Sequence, residues 1–282
     1  MGNYVIRSMI HSELDIALDW AKQEGWRPGL FDAEHFYIAD PNGFFIGLLD
    51  DEPIGCISGV KYSNDFGFIG LYIVKAEWRK QGFGLQLWQT AMHYLEGCNV
   101  GLDGVIEQQP NYQKSGFHTF CRHIRYQGTL INKKPIPSSD VVSIDAIPFD
   151  DLLSYDNRYF PAPRAGFLQL WLNQKQGTAL AVLTESRISG YGVIRACDGG
   201  FKIGPLFADS AIDAESLLSA LLSCIPQNSY FFMDIPELNQ DALQLVTNHA
   251  MQPVFETARM YTKNNPAIDL NGVFAVTSLE LG

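Results

Sequence analysis

The chain has 282 residues, of which 46% are hydrophobic and 18% charged. That is the balance of an ordinary globular protein, long enough for two modest domains. A formal net charge of −11 argues against nucleic acid and anionic membrane surfaces as general partners and favours a cationic one. Any phosphate ligand must then be held locally, by backbone amides and a few basic side chains.

Residues 4–9 read as a strand. Ser12 is placed to cap a helix with the apolar stripe Leu14, Ala17, Leu18 and Ala21, closed by Gly25. The irregular stretch Trp26-Arg27-Pro28-Gly29 leads to a short helical turn at Asp32. After the turn signal Asp40-Pro41-Asn42-Gly43, residues 44–49, 54–62 and 66–74 read as three antiparallel strands with joints of turn composition. Residues 79–84, Arg-Lys-Gln-Gly-Phe-Gly, open a helix whose buried stripe is expected to be Leu85, Trp88, Met92 and Leu95, with Gly97 as its C-cap. A strand at 100–106, a short helix from Gln109 to Gly116 and a strand at 117–127 complete this half.

Residues 131–140 contain two prolines and two serines without periodicity and read as a linker between domains at 1–130 and 141–282. The second half repeats the order: strands at 179–185, 188–196 and 201–207, a helix at 213–224, a strand at 230–235, a helix at 238–249 and a strand at 251–261. This is a duplicated α/β (α+β) chain. The two halves differ at one telling place. Opposite residues 79–84 the second half has Ala208-Asp209-Ser210-Ala211-Ile212-Asp213, which lacks glycine and basic residues and carries two carboxylates. Asp213 is expected to cap its own helix.

Strand, glycine turn and helix together make an anion cradle. Backbone N–H groups at the helix start point outward and the helix dipole favours negative charge there. Gly82 and Gly84 permit close backbone approach. Cys56, Cys98, Cys121, Cys197 and Cys224 show no CxxC spacing. With no leader segment, that pattern suggests buried, reduced thiols and a cytoplasmic protein. No apolar run reaches 18 residues, so no transmembrane helix is expected. The six histidines lack metal-ligand spacing, and His118 and His123, five apart on a strand, face opposite sides. No metal is expected.

Residues 69–84, from Ile69-Gly70-Leu71-Tyr72 to the glycine loop, resemble the acetyl-CoA-binding motif of the GCN5-related N-acetyltransferase (GNAT) family, Arg/Gln-x-x-Gly-x-Gly/Ala, met by Arg79, Gly82 and Gly84. Asn111-Tyr112-Gln113-Lys114-Ser115-Gly116-Phe117 resembles the family's second motif, about 30 residues on. The resemblance spans residues 4–127. Stretches at 158–164, 256–261 and 272–280 are similar to a two-domain bacterial subgroup whose second domain is a degenerate copy of the first. The resemblance implies a mixed, mostly antiparallel sheet flanked by helices, and acetyl-CoA as cosubstrate.

It also implies roles for residues. Arg79, Lys80, Gln81, Gly82, Phe83 and Gly84 would hold the CoA pyrophosphate. Leu71, Ile73 and Val74 lie on a strand that splays from its neighbour after Val100 and offers backbone groups to the pantetheine arm, and Asn111 would either bond that arm or cap its helix. Tyr112 matches the family's general acid. A phenol of pKa near ~10 can protonate a thiolate whose acid has a pKa near ~8.5. The strand at 66–74 has no Asp or Glu, a departure from members with a carboxylate base there, so Glu107 or a water relay would accept the amine's proton. Trp26, Asp32, Glu34, Tyr72 and Arg164 are candidates for the acceptor site, Arg164 reaching a substrate carboxylate from the second domain. The expected activity is acetylation of a small primary amine by a monomer or homodimer. Acetylation of a protein lysine or N-terminus, and a non-catalytic acyl-CoA sensor, are the alternatives.

Overall fold

The computed structural model describes residues 2–131 and 140–282. The expected linker, its two ends apart, lies outside the described residues. The first half comprises β1 (Tyr4–Ser8), α1 (Leu14–Gln23), α2 (Asp32–Ala39), β2 (Phe44–Leu49), β3 (Glu52–Lys61), β4 (Phe66–Val74), α3 (Phe83–Tyr94), β5 (Asn99–Val105), α4 (Gln109–Lys114) and β6 (His118–Thr129). The second comprises β7 (Val141–Ser143), α5 (Phe149–Asp156), α6 (Ala165–Trp171), β8 (Gly177–Thr184), β9 (Arg187–Cys197), β10 (Gly200–Ala208), α7 (Ala211–Ser223), β11 (Tyr230–Pro236), α8 (Gln240–Asn248), β12 (Gln252–Tyr261) and β13 (Val273–Ala275).

Local chemistry accounts for most boundaries. α1 buries Leu14, Ala17, Leu18 and Ala21 as its spacing predicts, and Gly25 follows it at φ 78°. Ser12 is not its cap. A 3-10 turn at His11–Glu13 precedes the helix, and the Glu13 carboxylate accepts from the Ile10 N–H at 2.9 Å. The stripe of α3 is rotated from expectation: Leu87, Trp88 and Ala91 are buried, whereas Leu85 is exposed. α7 is capped by Ser210, whose hydroxyl accepts from the Asp213 N–H, and not by Asp213. The helices α5 and α6, which periodicity did not reveal, carry Trp171 into the core against Phe36 of α2, ring centroids 6.1 Å apart. Four cysteines are buried and Cys224 is exposed.

All the strands belong to one 13-stranded sheet, ordered β1-β2-β3-β4-β5-β12-β6-β11-β10-β9-β8-β7, with β13 beside β10. β4 and β5 run parallel, as do β10 and β11; the other pairs are antiparallel. The order is pseudo-symmetric, and at its centre the halves exchange their sixth strands, β6 and β12. β12 lies between β5 and β6, and β6 lies between β12 and β11. Each exchanged strand is pinned by an Arg–Asp fork to the residue opposite it. Arg259 of β12 bonds Asp103 of β5 at 2.9 and 2.7 Å, and Arg125 of β6 bonds Asp234 of β11 at 2.6 and 2.9 Å. One apolar cluster joins α1 and α2 to α5 and α6 across the sheet, from Leu14 and Phe36 to Leu168 and Trp171.

The halves therefore share hydrogen bonds and core. A single cooperative thermal transition is expected by scanning calorimetry, with calorimetric and van't Hoff enthalpies equal; two separable transitions would contradict it.

Candidate active site

β4 and β5 pair only from Phe66↔Asn99 to Ile69↔Leu102. Beyond that point they diverge, two residues later along β5 than the resemblance implied. At the divergence β4 carries a bulge. Its pairing with β3 jumps from Gly70 to Ile73, and Leu71 sits at φ 46°. A leucine in the left-handed region is strained, and bulges of this kind re-aim a strand at functional sites. The Cys56 thiol donates to the Leu71 carbonyl at 3.1 Å and holds the bulge from behind. The Leu71 and Ile73 side chains are buried in the core, so only their backbone can serve a ligand.

The opening forms a narrow cleft of about 70 Å³, well below the ~300–1,000 Å³ of a whole-ligand pocket. Tyr72 and Tyr112 line it together, with Trp26, Asp103, Arg125 and Thr257. The Tyr112 ring stacks on Trp88, centroids 5.3 Å apart, and fits because residue 104 is glycine: a Cβ there would lie 2.8 Å from the ring. Burial, with Tyr72 adding to it, pushes the Tyr112 phenol well above its ordinary pKa, so it stays protonated. Burial also pushes Tyr72 up to about 12. Asp103 has a carboxyl whose charge burial opposes, but the Arg259 guanidinium and the His123 ring outweigh that and hold its pKa at about 2.

After β4, a 3-10 turn (Ala76–Trp78) leads into the glycine loop. Lys80 at φ 63° and Gly82 at φ 89° both take the left-handed conformation, curling the chain into the start of α3. Gly82 has open space around it, so the backbone alone requires glycine there. Gly84 is required by crowding: a Cβ would lie 2.8 Å from the Tyr72 hydroxyl oxygen and 3.2 Å from Val74 Cγ2. The Phe83 ring packs on Tyr4, centroids 4.7 Å apart. The Arg79 guanidinium donates to the Val74 carbonyl at 2.7 Å and pairs with Glu24, and Gln81 donates to the Glu77 carbonyl. The cradle thus consists of backbone amides with Lys80 exposed beside them.

Other expected site residues lie elsewhere. Glu107 is exposed on the 3-10 turn Ile106–Gln108, outside the cleft lining, because that turn carries it past the end of β5. Asn111 is exposed and donates to Gln108 at 3.0 Å. Asp32 is fully buried, accepting from Arg195 Nε at 2.9 Å and from the Gly29 N–H at 2.8 Å, so it joins the halves and does not bind a ligand. Glu34 pairs with Lys175 on the surface. Arg164 forks onto Asp156 at 2.8 and 2.7 Å and donates to Thr277, so each of its three nitrogens is engaged inside the second half. Of the acceptor candidates, Trp26 and Tyr72 line the cleft. Among the described residues no group of three or more His, Cys, Asp or Glu side chains is arranged to hold a metal, and no helix is long and apolar enough to cross a membrane.

The second half has the same splay, and the chain itself fills it. β10 and β11 part after Ile203↔Met233; β13 then pairs with Leu206 and Phe207, and the Val276 N–H donates to the Asp234 carbonyl at 3.0 Å. Asp209, where the first half has its loop, accepts from Tyr155 and Tyr159 and pairs with Arg158.

An acetyltransferase (GNAT) family profile matches residues 10–117, and an acetyltransferase (GNAT) domain profile matches residues 152–275. A holothin acyltransferase of Pseudoalteromonas sp. (strain SANK 73390) is 31% identical over 271 residues, covering 96% of this chain and 92% of its own. The chain belongs to the GNAT acyltransferase family. Its fold is also that of a putative acetyltransferase from Pyrococcus horikoshii, with a TM-score of 0.84 at 22% identity, covering 99% of this chain and 96% of the other. A tandem GNAT protein from the clavulanic acid biosynthesis pathway superposes with a TM-score of 0.64 at 11% identity, over 94% and 99% of the two chains. As a tandem GNAT protein, the chain carries an open splay with a glycine cradle in its first half and a plugged splay in its second.

GNAT enzymes generally use an acyl-CoA. The residues present fit one: backbone amides at the start of α3 for the pyrophosphate, and the unpaired run of β4 for the amide-bearing arm. Changing both Gly82 and Gly84 to Val is expected to abolish acetyl-CoA binding measured by titration calorimetry. The left-handed turn alone costs roughly 1–2 kcal/mol with a side chain, and the new Cβ at residue 84 displaces Tyr72. Retained affinity would refute the cradle.

Proposed function

We propose that this chain moves an acetyl group from acetyl-CoA to the primary amine of a small molecule, both substrates being bound together in the first half. The observation that carries this reading is the divergence of β4 and β5 at the Leu71 bulge, with the glycine cradle at one end and the Tyr112 hydroxyl in the cleft. The arm of acetyl-CoA would lie along β4, placing the thioester carbonyl beside Tyr112. The neutral amine attacks that carbon. As the tetrahedral intermediate collapses the C–S bond breaks, and the Tyr112 phenol supplies the proton that the thiolate takes.

The narrow cleft, walled by Trp26 and by the chain's own last residues, favours a small acceptor over a folded polypeptide. The similarity to an enzyme named for acyl transfer to holothin supports the same choice. The test is a free-thiol assay of the full chain with acetyl-CoA against amino acids, polyamines, aminoglycosides and peptides. Amine-dependent thiol release is the expected result. Binding of acetyl-CoA without release for any amine would overturn the reading in favour of a sensor, and turnover of peptides alone would overturn the small acceptor.

A further inference from the structure

The amine-acylation reading leaves the proton acceptor open. Resting on that reading, we propose that the carboxylate of Glu280 binds the acceptor's ammonium group and removes its proton, a catalytic residue that the last residues of the second half deliver to the cleft of the first.

Glu280 is 3% exposed and lines the same cleft as Tyr72 and Tyr112. Its Oε2 is buried and has no hydrogen-bond partner among the described residues. The same holds for Oγ1 of Thr257, which lines the cleft from β12. Buried polar atoms without partners are rare, and each loses roughly 1–3 kcal/mol of solvation unless something bonds it. Two of them in one slot provide an acceptor for an ammonium and a hydroxyl for a polar neighbour.

The tail that carries Glu280 is fixed. The Val276 N–H bonds Asp234, Arg164 bonds Thr277, the Leu281 N–H bonds the Ser278 hydroxyl at 3.0 Å, and Tyr62 bonds the Leu281 carbonyl at 2.9 Å. The tail also lies against the bulged strand itself. A Cβ on Gly70 would overlap the Glu280 carbonyl, so glycine at residue 70 lets the tail reach the cleft. The charged groups around it are Arg125 and Lys202, whose cations Glu280 favours, with Asp234 paired to Arg125 behind them.

The other carboxylates near the reaction are poorly suited. Asp103 also lines the cleft, but Arg259 occupies both of its oxygens and its pKa of about 2 makes it a weak base. Glu107 is exposed outside, and β4 has no carboxylate. Glu280 has an oxygen free to accept. One N–H bond of the ammonium breaks and its proton goes to a Glu280 oxygen. The nitrogen lone pair then forms the C–N bond, and the carbonyl π pair moves to oxygen. When that pair returns, C–S breaks, sulfur keeps the electrons and takes the Tyr112 proton. The phenolate recovers a proton from the now cationic nitrogen, and Glu280 releases its own to solvent.

The experiment compares the full-length wild type with Glu280→Gln and Glu280→Ala in the thiol-release assay over the amine panel above, with acetyl-CoA affinity and melting temperature measured on each. Expected are a kcat loss of about 10²-fold in Glu280→Gln, unchanged acetyl-CoA affinity and melting temperature, and partial recovery of Glu280→Ala by added formate. A wild-type kcat in Glu280→Gln overturns the proposal, as does lost activity that comes with a lowered melting temperature and no formate rescue. A wild type that binds acetyl-CoA but turns over no amine overturns the amine reading itself, and this inference with it.

Discussion

Tyr112→Phe should lower kcat by about 10²-fold or more while leaving acetyl-CoA affinity nearly unchanged. The phenyl ring keeps the stack on Trp88 and the space above Gly104, so neither the fold nor the cofactor groove loses a contact that matters. What disappears is the hydroxyl, whose proton stays on oxygen at every working pH because burial raises its pKa far above neutrality. A thiolate then leaves without a donor. Stopped turnover with a thiol-reactive dye, alongside titration of acetyl-CoA, separates the two effects. Equal kcat in the variant would remove Tyr112 from the mechanism.

Arg259→Met should destabilise the protein by about 3–5 kcal/mol, because it takes the guanidinium fork from a buried carboxylate and leaves it only the His123 ring at 3.0 Å. Asp103 is fully buried and both its oxygens take the guanidinium. The variant also tests the strand exchange, since this fork ties β12 to β5. The pH dependence follows from the sign of the shift. In the wild type the carboxyl is held at about 2, below its unfolded value of ~3.9. Its contribution is therefore complete above pH ~4 and is lost as pH falls towards about 2. In Arg259→Met the desolvated carboxylate gains by protonation, so the gap to wild type should narrow in acid. Urea unfolding at several pH values reads this directly. A gap that stays constant or widens in acid would refute the pairing as its cause.

Much of the local fold around the candidate cofactor loop was legible in the chain. The glycines at 82 and 84 announce a left-handed turn and a close approach; Gly82 takes the turn, and the close approach at Gly84 is to the Tyr72 and Val74 side chains. The short helix placed Tyr112 correctly because a proline at its start and Gly116 at its end bound it locally. The two Asp–Arg forks left a faint trace, a carboxylate in the fifth strand and an arginine in the sixth strand of each half. The trace has no local consequence, because each arginine pairs across to the other half. The acceptor side was not legible. Asp32 and Arg164 look like ligand-binding charges in sequence, but the partners that neutralise them, Arg195 and Asp156, are identified only by the folded chain.

The sequence by itself determined the duplication, the left-handed glycine turn before α3 and the short helix that carries Tyr112, because turns, caps and periodicity act over a few residues. Tertiary structure alone decided that β6 and β12 change places, that β13 fills the second splay, and that the tail carries Glu280 to Gly70. Those facts depend on contacts between residues far apart in the chain, set by which unpaired strand edge and which buried charge finds its complement. Leu279 and Glu280 reach the cleft of the first half by that route alone.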